Sequence, residues 1–197
     1  MAGPEPDPAA GATWWARVVL LVGLAVWTWQ FAFTPLGDDA MEAFLHLPNL
    51  VFHEAGPLIF SPLGQFMTVV GGSLMQVLVP VVAAAAFTRQ HQPFGAAICA
   101  WWAGQNLVDL APYIADARAL ELVLLGGRTG AEVEGHDWEF ILTRLRLLHR
   151  DQAIGSGAHA AGMAIMIAAL AFASRLLLAQ GPAIGRGARH GGARRPQ

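Results

Sequence analysis

Four runs of about twenty mostly apolar residues, Trp14–Phe33, Phe66–Phe87, Phe94–Tyr113 and Ala158–Leu178, constrain this chain more than any other feature. A run of that length matches the hydrocarbon thickness of a bilayer when it is helical. In lipid the backbone must satisfy its own hydrogen bonds, so such runs become α-helices. The expected fold is therefore all-α, a polytopic membrane helical bundle with four spans. Composition agrees: 13% of the 197 residues are charged, about half of what a soluble domain carries, and mean hydropathy is +0.45. A net charge of −2 excludes a nucleic-acid partner.

Arginine placement sets the orientation, because all twelve basic residues are Arg. Arg17 opens the first run, Arg89 lies in the short loop Thr88–Pro93, and Arg186, Arg189, Arg194 and Arg195 follow the last run. Placing all of these in the cytoplasm satisfies the positive-inside rule and puts the C-terminus there. The expected location is a bacterial plasma membrane. The leader Met1–Thr13 carries Glu5 and Asp7 where a signal peptide carries basic residues, so the first run reads as a retained anchor. Three stretches follow: a disordered leader (1–13), a membrane domain (14–178) and a basic disordered tail (179–197). The acidic connector around Asp38, Asp39 and Glu42 falls outside, with the long loop Ile114–Gly157. Within that loop Trp138, Ile141, Leu142, Leu145 and Leu148 recur at helical spacing. Asp137 as N-cap then starts an amphipathic surface helix.

Leu45–Phe60 is a fifth apolar stretch, short for a span and interrupted by Pro48 and Pro57. It is expected as a re-entrant helix, or as a fifth span that moves the N-terminus to the other side. It also carries His53-Glu54-Ala55-Gly56-Pro57. A charged group at membrane depth costs about 3 kcal/mol, so a His and a Glu there imply a partner or a task. His-Glu-x-x-His on one helix binds zinc through its two imidazoles and uses Glu as general base. Here proline stands in the second histidine position. In the third run Asn106, Asp109, Tyr113 and Asp116 share one helix face, and Pro112 bends or ends the helix within it. Such a polar stripe must face the bundle or a cavity.

Several side chains have alternative readings. Asp109 is a metal ligand or the partner of an Arg or a His. Asn106 and Gln76 hydrogen-bond between helices, and Gly71, Gly72 and Ser73 allow close helix approach. Asp116 pairs with Arg118 or caps a turn. His46, roughly 10 Å from His53 along a helix axis, faces the same cavity. His136 folds back over the site or lies exposed in the loop. The lone Cys99 reads as a small buried hydrophobe.

Taken together, the His53-Glu54 pair, Gly71-Gly-Ser-Leu-Met-Gln and Asn106-Leu-Val-Asp resemble the site-2 protease-like intramembrane zinc metallopeptidases and a branch of small bacterial membrane proteins related to them. The likeness runs from about Pro48 to Trp138. It implies a Zn²⁺ cofactor, with His53 and Asp109 as ligands and Glu54 activating water. Two departures accompany it: Pro57 offers no ligand atom, and Asp109 is followed by Leu110 instead of the family's glycine. The third metal ligand then falls to His136, His46 or Asp116. The expected function is that of a membrane protein on this scaffold with reduced or absent proteolysis. The alternatives are a non-enzymatic helper or pseudoprotease, or a small carrier using buried carboxylates. Expected partners are the lipid bilayer and either a membrane-protein substrate or a second copy of the chain.

Overall fold

The computed structural model describes residues 8–33, 46–124, 127–132 and 135–181. Among the described residues the regular secondary structure is helical apart from one isolated bridge, Val123 with Thr129. In chain order the helices are α1 (Pro8–Phe33), α2 (His46–Phe60), α3 (Gln65–Arg89), α4 (Pro93–Ala115), α5 (Asp137–Arg144) and α6 (Asp151–Gln180). Short 3₁₀ turns at Ser61–Leu63 and Leu148–Arg150 lead into α3 and α6.

Three helices, in α1, α3 and α6, are long and apolar enough to cross a membrane. Their 25 to 30 residues give about 37–45 Å of axis, more than the ~30 Å of bilayer hydrocarbon. Their outer faces leave Val19, Val22, Trp29, Val82, Ile167 and Leu178 about half exposed or more. A surface that apolar suits contact with lipid. The remaining expected span, the third run Phe94–Tyr113, also forms a helix, the 23-residue α4, yet it falls outside that apolar class. The reason is its composition: Gln105, Asn106 and Asp109 occupy its middle, and more than half of its residues are buried inside the bundle.

α4 is accordingly the hub. Its longest interface is with α6, where small residues bring the backbones together. A Cβ added at Gly104 would stand 2.7 Å from the carbonyl oxygen of Gly162, and one at Gly155 would stand 2.7 Å from that of Ala111. α1 lies along α6 and α4 through Leu24, Phe31, Trp101 and Met166. Polar clasps fix its register: Trp101 Nε1 donates to Thr28 Oγ1 (2.8 Å) and Arg17 to Gln180 Oε1 (2.8 Å). α1 begins at Pro8, ahead of the apolar run, so of the expected leader only residues 1–7 lie outside the described ones. Asp38, Asp39, Glu42 and the four C-terminal arginines also lie outside the described residues.

The prolines break fewer helices than their number suggests. Pro48 occupies the first turn of α2, where a backbone N–H has no helical partner to lose. Pro57 and Pro112 are internal, yet α2 runs on to Phe60 and α4 to Ala115. The α3–α4 connection is a tight turn closed by His91 in the left-handed region (φ 56°), with Pro93 at the first position of α4.

Candidate functional site

α2 sits on α3 through glycine. Gly56 and Gly71 face each other so closely that a Cβ at Gly56 would overlap the Gly71 backbone. One residue on, a Cβ at Gly72 would stand 2.6 Å from His53 Nε2, so this glycine gives the imidazole its place. This intimacy points the polar face of α2, His46, Asn49 and His53 at spacings of three and four, toward α3 and α4.

The centre of the resulting network is Asp109 of α4, 5% exposed. Its carboxylate accepts from His46 Nδ1 (3.0 Å), Asn49 Nδ2 (3.2 Å) and Gln76 Nε2 (2.7 Å). Asn49, fully buried, also donates to Gln105 Oε1 (2.8 Å) and accepts from Trp102 Nε1 (2.9 Å). Since Gln76 spends its amide nitrogen on Asp109, its oxygen faces His53 Nδ1 as acceptor at 3.0 Å. The other ring nitrogen, His53 Nε2, lies 3.2 Å from Asp137 Oδ2. With Nδ1 donating to Gln76, a second proton must be shared between His53 and Asp137. Of these, His46, His53, Gln76, Asp109 and Asp137 line a cavity of about 410 Å³ together with Glu54, Pro57, Tyr113 and the apolar side chains Leu50, Leu110 and Leu124. Glu54 is exposed within it, and its side chain makes no hydrogen bond among the described residues.

The expected residues thus divide. His53, Glu54, Asp109 and His46 share the cavity. His136 is buried behind Tyr113, ring centroids 4.3 Å apart, and does not line it. His136 Nδ1 accepts the backbone N–H of Glu139, which makes His136, and not Asp137, the N-cap of α5. Asp137 is thereby released to reach His53. His136 Nε2 faces Asp116 at 3.5 Å and has no hydrogen-bond partner among the described residues. Burial pulls its pKa below the ordinary value, against the opposing pull of Asp116, Asp137 and Glu139. Asp116 caps the turn after α4 by accepting from the N–H groups of Glu121 and Leu122, while Arg118 pairs with Asp151 instead (2.7 Å). Asn106 bonds the Trp102 carbonyl of its own helix and, among the described residues, bridges to no neighbouring helix through a hydrogen bond. The face that reaches α2 runs through Gln105 and Asp109, four residues apart, and Asn106 lies to one side of it.

Zinc in a peptidase takes three protein ligands and keeps a fourth position open for water. This side-chain set does not fit that requirement. Both nitrogens of His53 and both oxygens of Asp109 are already engaged, and Pro57 brings no donor to the wall where a second imidazole would stand. Among the described residues no three His, Cys, Asp or Glu side chains converge as a metal site. The arrangement can instead hold and exchange protons between imidazole and carboxylate inside a half-polar chamber. Compared with protein-family models, curated proteins and solved structures, the chain matches none of them.

Proposed function

We propose that this chain is a multi-pass membrane protein on a site-2 protease-like scaffold whose former zinc-peptidase centre persists as a non-proteolytic binding cavity. It acts as a pseudoprotease or helper toward another membrane protein. The observation that carries this reading is the state of Asp109: the carboxylate that would ligate zinc is instead held by His46, Asn49 and Gln76. Releasing it for a metal would leave an N–H of each of the buried amides Asn49 and Gln76 unmatched, each at a cost of about 1–3 kcal/mol. In this reading α4 is a span alongside α1, α3 and α6, and α2 is a re-entrant helix entering from the outer face. Both termini lie on the cytoplasmic side of a bacterial plasma membrane, and α5 lies on the outer surface.

The test is metal content together with cleavage. Purified chain should hold far less than one zinc per molecule by elemental analysis. It should leave a transmembrane reporter uncut whether position 54 is Glu or, in Glu54→Gln, Gln. Stoichiometric zinc with Glu54-dependent cleavage would overturn the proposal.

A further inference from the structure

The cavity wall carries a charge that the described residues do not answer. Three carboxylates line it, Glu54, Asp109 and Asp137, against two imidazoles, His46 and His53. No arginine among the described residues lines it, and the chain has no lysine. Even with both rings protonated, three negative charges meet two positive ones. Asp109 is engaged by His46, Asn49 and Gln76, and Asp137 by His53, so the surplus belongs to Glu54. α2 places that carboxylate at the rim. Leu50 and Pro57, four residues before and three after it, line the cavity. Val51 and Leu58, three before and four after it, are 68% and 80% exposed. In the membrane reading an unanswered carboxylate at this depth is costly and calls for a cation.

We infer that the cavity binds an organic ammonium ion on a short apolar stem, with Glu54 as its counter-ion. The assignment rests on the non-proteolytic cavity proposed above and names its occupant. Volume and lining select the class. About 410 Å³ holds on the order of a dozen water-sized groups, far more than a bare inorganic cation fills. A hydrated ion would leave Leu50, Leu110 and Leu124 wet, whereas an alkyl stem covers them. An anion would meet the surplus charge as a repulsion, and a neutral alcohol would leave it unanswered. Two sources carry the required chemistry, a free amine and a lysine side chain of another membrane protein.

Calorimetric titration with hexylammonium tests the assignment, using the full chain in phosphatidylcholine nanodiscs after EDTA dialysis, with empty nanodiscs subtracted. Hexylammonium should bind once per chain, at least about tenfold more tightly than hexanol or hexanoate. Glu54→Gln should weaken it about ten- to hundredfold, the change that one bond to a charged group sets. Glu54 is exposed and its side chain makes no hydrogen bond among the described residues, so the variant should keep the wild-type Tm. Equal affinity for hexanoate overturns the assignment. So does an affinity that Glu54→Gln leaves unchanged, since the carboxyl then holds a proton in place of a cation. Displacement of hexylammonium by a transmembrane peptide with one central lysine, and not by its leucine counterpart, assigns the ammonium to a partner protein. Glu54-dependent binding of hexylammonium without such displacement assigns it to a free amine. Stoichiometric zinc with proteolysis would defeat the function proposed above, and binding to the EDTA-treated chain is read apart from it.

Discussion

Gln76→Leu is the sharpest probe of the network, because it keeps side-chain bulk while removing one donor and one acceptor. Gln76 is 3% exposed and bridges Asp109 at 2.7 Å to His53 at 3.0 Å. The average interhelical hydrogen bond in a membrane protein contributes about 0.6 kcal/mol, whereas bonds to charged groups in proteins contribute about 1.5–3 kcal/mol. Two lost bonds therefore bracket about 1 to 5 kcal/mol. Burial decides for the upper half, since water cannot replace the donor that Asp109 loses. We expect a loss of about 2–4 kcal/mol. At about 2–4 °C per kcal/mol for a chain of this size, Tm falls by roughly 4–16 °C, measured by circular dichroism in detergent. A double-mutant cycle with Asp109→Asn adds a stricter condition. If the two side chains act through each other, the double variant costs about 1–2 kcal/mol less than the sum of the singles. A Tm shift below about 2 °C with strictly additive effects would refute the reasoning, and the network would then be a set of independent contacts.

Three further outcomes are expected. His136 is depressed by burial, so its neutral form belongs to the folded chain and protonation belongs to the unfolded one. Stability should be flat above about pH 7 and decline as pH falls below the ordinary histidine value near 6.5, and His136→Gln should flatten that decline in a Tm-against-pH series. Gly104→Ala drives a methyl into the Gly162 carbonyl and should cost about 1–3 kcal/mol by forcing α4 from α6, whereas Gly23→Ala, with open space around it, should leave Tm within about 1 °C. Pro57→His puts an imidazole in the cavity wall one turn beyond His53 and should raise zinc per chain in elemental analysis. Metal content equal to wild type would mean that the remaining donors cannot be freed.

The helices were legible because apolar runs of bilayer length leave the backbone no other way to satisfy itself. The meeting of His46, His53, Glu54 and Asp109 in one cavity was legible too, from polar residues on otherwise apolar segments, whereas Gln76 read only as a hydrogen-bonding residue between helices. Asn49 carried the same signal, three residues after His46 and four before His53, but an amide inside a helix lacks the chemical accent of an imidazole. Gln105 was masked by Asn106 beside it: one residue of rotation about α4 decides which amide meets α2, and spacing alone does not fix that rotation. Asp137 was hidden for another reason. An acid at a helix start reads as a cap, and only the fold shows that His136 takes the capping role and frees the carboxylate for a partner 84 residues away.

The polarity of α4 bears on how the chain is made. In the membrane reading, the segment emerging third from the translocon is the least able to stay in lipid by itself, since Gln105, Asn106 and Asp109 sit at its middle. Its main packing partner, α6, is synthesised after it. Until then the nascent chain must shelter α4 against α3 or within the insertion machinery, so truncations before residue 151 should be the ones that quality control removes.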